Sequence, residues 1–188
     1  MSRLQASGLV SVRQGSGYRV HDYRIHGGMD LLGPVMEMTC SNGQQEETVR
    51  DLLTIRRAMA VAVLDRLSKG IRSEDQRRIT QAIDTFGEAV ERGAPPSELS
   101  EFDARILGAL VAATGSPVLG LCLNPVLNAL GQLPALSQAM YARPGENLVG
   151  WRLFEAWLGR PDSFPQDQIL GQLEKSDLHT LRRMRGPQ

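Results

Sequence analysis

The sequence predicts a mainly α-helical protein in which a helix end and a β-hairpin precede an antiparallel bundle of α-helices. Two β-prone segments flank a glycine-containing turn near the N-terminus. Apolar residues recur with helical spacing through most of the remaining chain, and no alternating apolar and polar run follows residue 20. The 188 residues are enough for one domain with a full core.

The hairpin is predicted from residues 9–20. The segments Leu-Val-Ser-Val and Tyr-Arg-Val stand on either side of residues 14–17, Gln-Gly-Ser-Gly. Glycine supplies the positive φ values that a tight turn between antiparallel strands requires. Residues 1–8 have the pattern of the last turns of a helix that ends in a glycine cap. Residues 24–33 contain three glycines and are predicted to be a linker.

The rest of the chain is predicted to be helical. Residues 46–69 carry an apolar stripe at helical spacing, with arginines on the far face. Ser73 opens a second helix that ends at residue 91, and Ser97 is expected to cap a third. Residues 117–133 are almost wholly apolar and predict a central, buried helix. Further helices fit residues 135–142, 146–158 and 165–183.

The composition excludes several classes of protein. Twenty-one basic and 21 acidic residues balance, which argues against a chain that coats nucleic acid or membrane over its whole surface. Cys40 and Cys122 lack metal-site spacing, so neither a disulfide framework nor a zinc site is expected, and Cys122 is expected in the core. No apolar run reaches the roughly 18 residues of a membrane span. A cytoplasmic protein without a membrane partner is expected.

Enzyme motifs are absent from the sequence. It contains no G-x-S-x-G, no P-loop and no H-E-x-x-H. We therefore expect no catalytic residue, no cofactor and no enzymatic activity.

Residues 2–20 resemble the end of the winged helix-turn-helix of the GntR family, in which a recognition helix runs into a Leu-x-x-x-Gly-Leu-Val segment and a two-stranded wing. Residues 51–58, 101–124 and 140–144 are similar to successive helices of the ligand-binding domain of its FadR subfamily, the FCD domain. The implied domains are a partial winged helix-turn-helix at 1–24, a linker and first helix at 25–45, and an all-α effector-binding and dimerisation domain at 46–188.

The resemblance implies a homodimeric, DNA-binding transcription regulator whose helical domain senses a small-molecule effector. Complete relatives carry two further helices and a strand before the recognition helix, inside which this sequence begins. A missed upstream start, a truncated remnant and a selected short product are the open explanations, and we expect the first. The alternative function is a truncated regulator that does not bind DNA by itself and acts in dimerisation, interaction or ligand binding. A small-molecule carrier is a third option.

Residues 1–24 carry four arginines against one aspartate, a local excess of positive charge that would attract phosphate. Alternatively, these arginines have no binding role and are simply solvated surface residues of an amphipathic hairpin. The resemblance implies DNA contacts from the recognition helix and the wing, by Arg3, Arg13, Gln14, Gly15, Ser16 and Arg19.

For the helical domain, the resemblance implies an effector site. Many subfamily members bind a divalent metal through one Asp and three His, and the metal holds a carboxylate effector. Asp103 occupies the Asp position, but Leu107 stands where one His belongs and no His lies around Trp151, so we predict no metal. Asp103 is then expected to act as a capping or buried hydrogen-bonding group. The predicted effector-binding residues are Arg56, Asp103, Leu107, Asn124 and Tyr141.

The identity of the effector is left open between an acyl-CoA and a smaller carboxylate. Some subfamily members lack the metal and take a long-chain acyl-CoA in the bundle. The apolar residues here could line such a cavity or simply form the core that any helical bundle needs. At positions that contact the ligand in those members, this chain is expected to carry bulky or acidic residues, which would obstruct or repel CoA. These residues are Leu173, Glu174, Asp177 and Leu181.

Overall fold

The computed structural model describes residues 2–13, 15, 17–162 and 165–185. The chain divides into two compact units, Met1–Thr48 and Val49–Gln188. The second unit, which is rich in helices, begins at Val49, a few residues after the predicted boundary at residue 46.

The first unit contains the predicted hairpin. Strand β1 (Val10–Arg13) pairs with β2 (Gly17–Val20) in antiparallel register, with Val10 opposite Val20. Before it, helix α1 (Ser2–Ala6) ends as predicted, because Gly8 adopts a φ of 70° and the Leu9 N–H bonds back to the Leu4 carbonyl. A Cβ at Gly8 would also lie 2.6 Å from the carbonyl oxygen of His26. Glycine is therefore required here both for its positive φ and for the close approach of the His26 backbone.

The segment that follows the hairpin is more helical than its glycines predict. It forms α2 (Tyr23–His26), a 3-10 turn (Met29–Leu31) and α3 (Leu32–Ser41), so the prediction of a linker at 24–33 is wrong. The side chain of Asp22 accepts a hydrogen bond from the Arg24 N–H and opens α2. A cap of this kind starts a helix even where glycines follow closely.

Seven helices account for most of the described part of residues 45–185. They are α4 (Gln45–Ser68), α5 (Ser73–Glu91), α6 (Pro96–Ala113), α7 (Pro117–Gly131), α8 (Pro134–Met140), α9 (Pro144–Gly159) and α10 (Gln166–Met184). Helix α5 packs on α6 and α9, and α10 packs on α8 and α9. The prediction of a mainly α-helical protein with an N-terminal hairpin is confirmed.

Proline sets the start of four of these helices. It stands in the first turn of α6, α7, α8 and α9, where its fixed φ suits the helix and its missing N–H has no helical partner to lose. Ser97 therefore lies inside α6 and is not its cap, which corrects the prediction. Ser116 does cap α7, since its hydroxyl accepts from the Leu119 N–H.

The core lies where α5, α6 and α9 meet. Phe86, Ile106 and Trp157 are fully buried at this junction. Helix α7 is not the central buried helix that its composition predicts, because Leu121 is 73% exposed and Cys122 is exposed as well. One face of α7, with Gly120, Leu123 and Val126, packs inward, and on the outer side the apolar Val118 and Leu121 are not covered by the described residues.

The described helices include no single one that is long and apolar enough to cross a membrane. Only α7 and α8 taken together, as a pair bent by 92°, pass the same test of length and composition.

Candidate functional site: a cavity in the helical unit

A cavity of about 150 Å³ lies among α4 and α6–α10 of the second unit. Its wall is largely apolar and includes Val63, Leu107, Leu110, Leu123, Leu127 and Phe154. The polar side chains on it are Arg56, Asp103, Glu146, Asn147, Gln172 and Ser176. A mostly apolar pocket with a few polar groups is the usual form of a small-molecule site.

The carboxylate of Asp103 is held by hydrogen bonds on the cavity wall. The indole Nε1 of Trp151 donates to its Oδ1 over 2.6 Å, and the hydroxyl of Tyr141 also bonds to it. Ser100 in turn bonds the phenol of Tyr141. The carboxylate is thus satisfied by donors from α9 and from the end of α8.

Burial and hydrogen bonding act on the pKa of Asp103 in opposite directions. Desolvation raises it above the ordinary value of 3.8, while Trp151, the charge of Arg56 and Tyr141 lower it, and desolvation prevails. Burial together with the nearby carboxylate of Asp103 raises the pKa of Tyr141. The phenol therefore stays protonated and remains a hydrogen-bond donor.

Arg56 is tied to a second buried carboxylate. Asp177 on α10 is 1% exposed and accepts from Nη2 of Arg56 and, over 2.6 Å, from Nη1 of Arg57. Both arginines lie on α4, so a single carboxylate joins α4 to α10. Of the two, only Arg56 lines the cavity.

One donor of Arg56 is unused. Its Nε is buried and has no hydrogen-bond partner among the described residues. Leaving a buried donor unsatisfied is costly, particularly when the group is charged. Among the described residues that line the cavity, Arg56 is also the one cationic side chain.

Glu146, at the start of α9, is committed to other partners. It accepts from Nη2 of Arg183 over 2.8 Å and from Nη1 of Arg143 over 3.4 Å. The hydrogen bond from Arg183 is the main reason why the pKa of Glu146 lies below its usual range. Because Arg183 also donates to the carbonyl of Ala139, it joins α8, α9 and α10 beside the cavity.

The predicted effector residues are brought together in part. Arg56, Asp103 and Leu107 line the cavity, and Tyr141 is buried and bonded to Asp103 without lining the cavity itself. Asn124 is exposed on α7 and does not line the cavity, since the inward face of that helix carries Leu123 and Leu127 instead.

Sequence reasoning missed the roles of Trp151, Asp177 and Arg57. Trp151 was considered only as a position around which the resemblance implies a histidine, and no local pattern signals its hydrogen bond to Asp103, 48 positions away. The contact between Arg56 and Asp177 joins residues 121 positions apart, and no local pattern signals it.

The donor set does not fit the metal that the subfamily resemblance implies. Asp103 is already engaged by Trp151 and Tyr141 and lies within reach of the positive charge of Arg56. Its neighbours on the cavity wall, Leu107 and Trp151, offer no lone pair to a metal. Over the described residues, no group of three or more His, Cys, Asp and Glu side chains is suitably placed to hold one.

The predicted DNA-contacting residues fall on α1 and the hairpin. Gln14 and Ser16 lie outside the described residues, and the side chains of Arg3 and Arg13 do so too. Gly15 occupies the turn with a φ of 79°. Arg19 is exposed on β2, opposite Ser11.

Comparison with known proteins agrees with this architecture. The FCD domain family matches residues 51–158, which is more than half of the chain. A GntR protein of Streptococcus agalactiae superimposes with a TM-score of 0.57 at 13% identity, over 99% of this chain and 78% of that one. At that identity the likeness concerns the fold alone. No curated protein sequence matches the chain.

Proposed function

Because this chain belongs to the FCD-domain family of GntR-type transcription regulators, and not to a family of enzymes, we propose that it binds DNA under the control of a compact acid held in its helical unit. The observation that carries the effector part is the presence of Arg56, the one cationic side chain among the described residues that line the cavity, with its buried Nε unpartnered among them. An anionic oxygen from the effector would pair with the guanidinium of Arg56.

The chemistry of arginine supports an acidic effector. A guanidinium matches a carboxylate in geometry and forms strong, charge-assisted hydrogen bonds with it. The apolar wall would take the remainder of the molecule, and Asn147, Gln172 and Ser176 offer further polar contacts. In this proposal, Arg56 holds the acid directly and no metal is needed.

The size of the cavity supports a small acid over an acyl-CoA. An apolar cavity of about 150 Å³ is large enough for a benzene ring, whereas drug-sized ligands occupy roughly 300–1,000 Å³. Leu173 on the wall and Asp177 beside it, with a bulky and an acidic side chain, also disfavour the CoA group. Benzoate and hexanoate have suitable size and charge.

The hairpin unit supports the DNA-binding part of the proposal. The excess of arginine over acidic residues in residues 1–24 would attract phosphate, and the exposed strand β2 presents Arg19 to solvent. A homodimer would place two such hairpins on paired half-sites. The acid would alter DNA affinity by binding one conformation of the protein more tightly than another.

Calorimetric titration with benzoate, and with benzamide as its neutral analogue, tests the effector site. We expect the protein to bind benzoate, and Arg56→Gln to weaken binding by roughly tenfold to a hundredfold, because a hydrogen bond to a charged group contributes about 1.5–3 kcal/mol. Hexanoate with hexanamide provides a second pair of different shape.

Arg66→Gln is the matched control. Arg66 is exposed on the same helix and does not line the cavity, so its replacement should leave benzoate binding unchanged. Equal binding of acid and amide, or equal loss in both variants, would contradict a site built on Arg56.

A further inference from the structure

Asp177 is a negative charge that already lies against the proposed anion anchor. It is almost completely buried on α10, and its two oxygens accept from Arg56 and Arg57. Ser176, the residue before it, lines the cavity. An acid bound at Arg56 would therefore bring another carboxylate to a guanidinium that already pairs with Asp177.

Two carboxylates near one guanidinium repel each other, and the repulsion is strong where water is largely excluded. The side chain of Arg56 is only 12% exposed, so solvent screens this repulsion weakly. Asp177 should thus lower the affinity of the cavity for an anion, in addition to its role in joining α4 to α10.

Arg57 works in the opposite direction. It donates to Oδ2 of Asp177, the oxygen that Arg56 leaves free, and does not line the cavity itself. When an effector draws on the charge of Arg56, Arg57 still compensates Asp177. Without Arg57, sharing Arg56 would leave a buried carboxylate poorly paired, which is costly.

We infer that Asp177 and Arg57 set the anion affinity of the cavity from outside its wall: Asp177 opposes an acid at Arg56, and Arg57 offsets that opposition. The pair would adjust how much acid is needed to occupy the site, while Arg56 makes the contact. This inference rests on the proposed binding of an acid at Arg56.

The test compares Asp177→Asn and Arg57→Gln with the unaltered protein in titrations with benzoate and benzamide. Asparagine keeps an oxygen that can accept from either arginine but removes the negative charge. We expect Asp177→Asn to bind benzoate about tenfold more tightly and Arg57→Gln to bind it about tenfold more weakly. Benzamide affinity should not change in either variant, whereas a merely structural role would shift both ligands together.

Circular dichroism and thermal unfolding of each variant establish that it is folded. Because Arg57 is partly exposed, Arg57→Gln remains an independent test if Asp177→Asn does not fold. If the unaltered protein binds benzoate but neither variant changes its affinity, the inference is wrong and the proposed function stands. If neither the unaltered protein nor Asp177→Asn binds any of the acids, both are wrong.

Discussion

At the scale of single residues, Trp151 shows how one side chain changes the chemistry of a buried carboxylate. An indole Nε1 can only donate a hydrogen bond, whereas a histidine nitrogen at the same place could bind a metal. Trp151 therefore gives Asp103 a donor and offers no lone pair to a metal ion. With Tyr141 as a second donor, the carboxylate becomes a fixed part of the cavity wall.

The titration of Asp103 should make the protein less stable as the pH rises above 3.8, the ordinary pKa of the carboxyl group. Because burial raises the pKa of Asp103, the folded state keeps this proton at pH values where the unfolded chain has lost it. The free energy of unfolding then falls with increasing pH through that window. Asp103→Asn removes the titration, so its stability relative to the unaltered protein should increase across the same window.

Urea unfolding at a series of pH values from about 4 to 7 measures this difference. Trp151→Phe is the companion variant, since it keeps an aromatic ring but removes the donor to Asp103. It should destabilise the protein by about 1–3 kcal/mol at neutral pH, because the buried Asp103 loses one of its two donors and keeps only Tyr141. If the free energies of unfolding of Asp103→Asn and of the unaltered protein change in parallel with pH, burial does not raise the pKa of Asp103 and the prediction is wrong.

At the scale of helices and strands, local signals predict well and composition predicts poorly. The hairpin and the cap at Gly8 follow from glycines that must adopt positive φ, and the structure has both. The apolar run of α7 hides its periodicity, because both faces are apolar while only the face with Leu123 packs inward. The short helix α2 was not predicted, because the cap by Asp22 outweighs the glycines that follow it.

Two helical glycines should respond to alanine in a way that reports helix packing. Gly87 is buried in α5 against α9, and a Cβ there would lie 3.5 Å from Leu148 Cδ1 and from Arg152 Nη2, an ordinary contact distance. Alanine is favoured over glycine in a helix by about 0.8–1.0 kcal/mol. Gly87→Ala should therefore stabilise the protein by roughly that amount and raise Tm by about 2–4 °C.

Gly108→Ala is the control for helix propensity alone, because the added Cβ in α6 would meet nothing within 4 Å. Differential scanning calorimetry should give a similar rise in Tm for both variants. A rise for Gly108→Ala with a fall for Gly87→Ala would mean that α5 and α9 pack too closely for a methyl group.

At the scale of the whole molecule, the sequence predicts the content of each unit better than the contacts within it. The family resemblance located the helical unit, and Arg56, Asp103 and Leu107 do line one cavity. The pairing of Arg56 and Arg57 with Asp177 depends on how α10 returns to α4 after more than a hundred residues. Such a contact results from the packing of all the intervening helices, which a single sequence does not specify locally.

In the proposed function, the hairpin unit binds DNA and the helical unit binds the acid. DNA affinity should then depend on salt concentration, because the arginines of the hairpin unit contact phosphate. Fluorescence anisotropy with a labelled duplex of mixed sequence should show binding that weakens steeply between about 50 and 200 mM salt. Arg19→Gln should weaken binding on every sequence and reduce the slope of log K against log salt by about one, as expected for the loss of one phosphate contact.

Arg77→Gln carries the same change of charge at an exposed position on α5 in the helical unit, and should leave the slope unchanged. If both variants reduce the slope equally, the attraction comes from overall charge and not from the hairpin. If the unaltered chain binds no duplex even at low salt, residues 1–188 do not bind DNA by themselves, and the acid site would act through a partner that does.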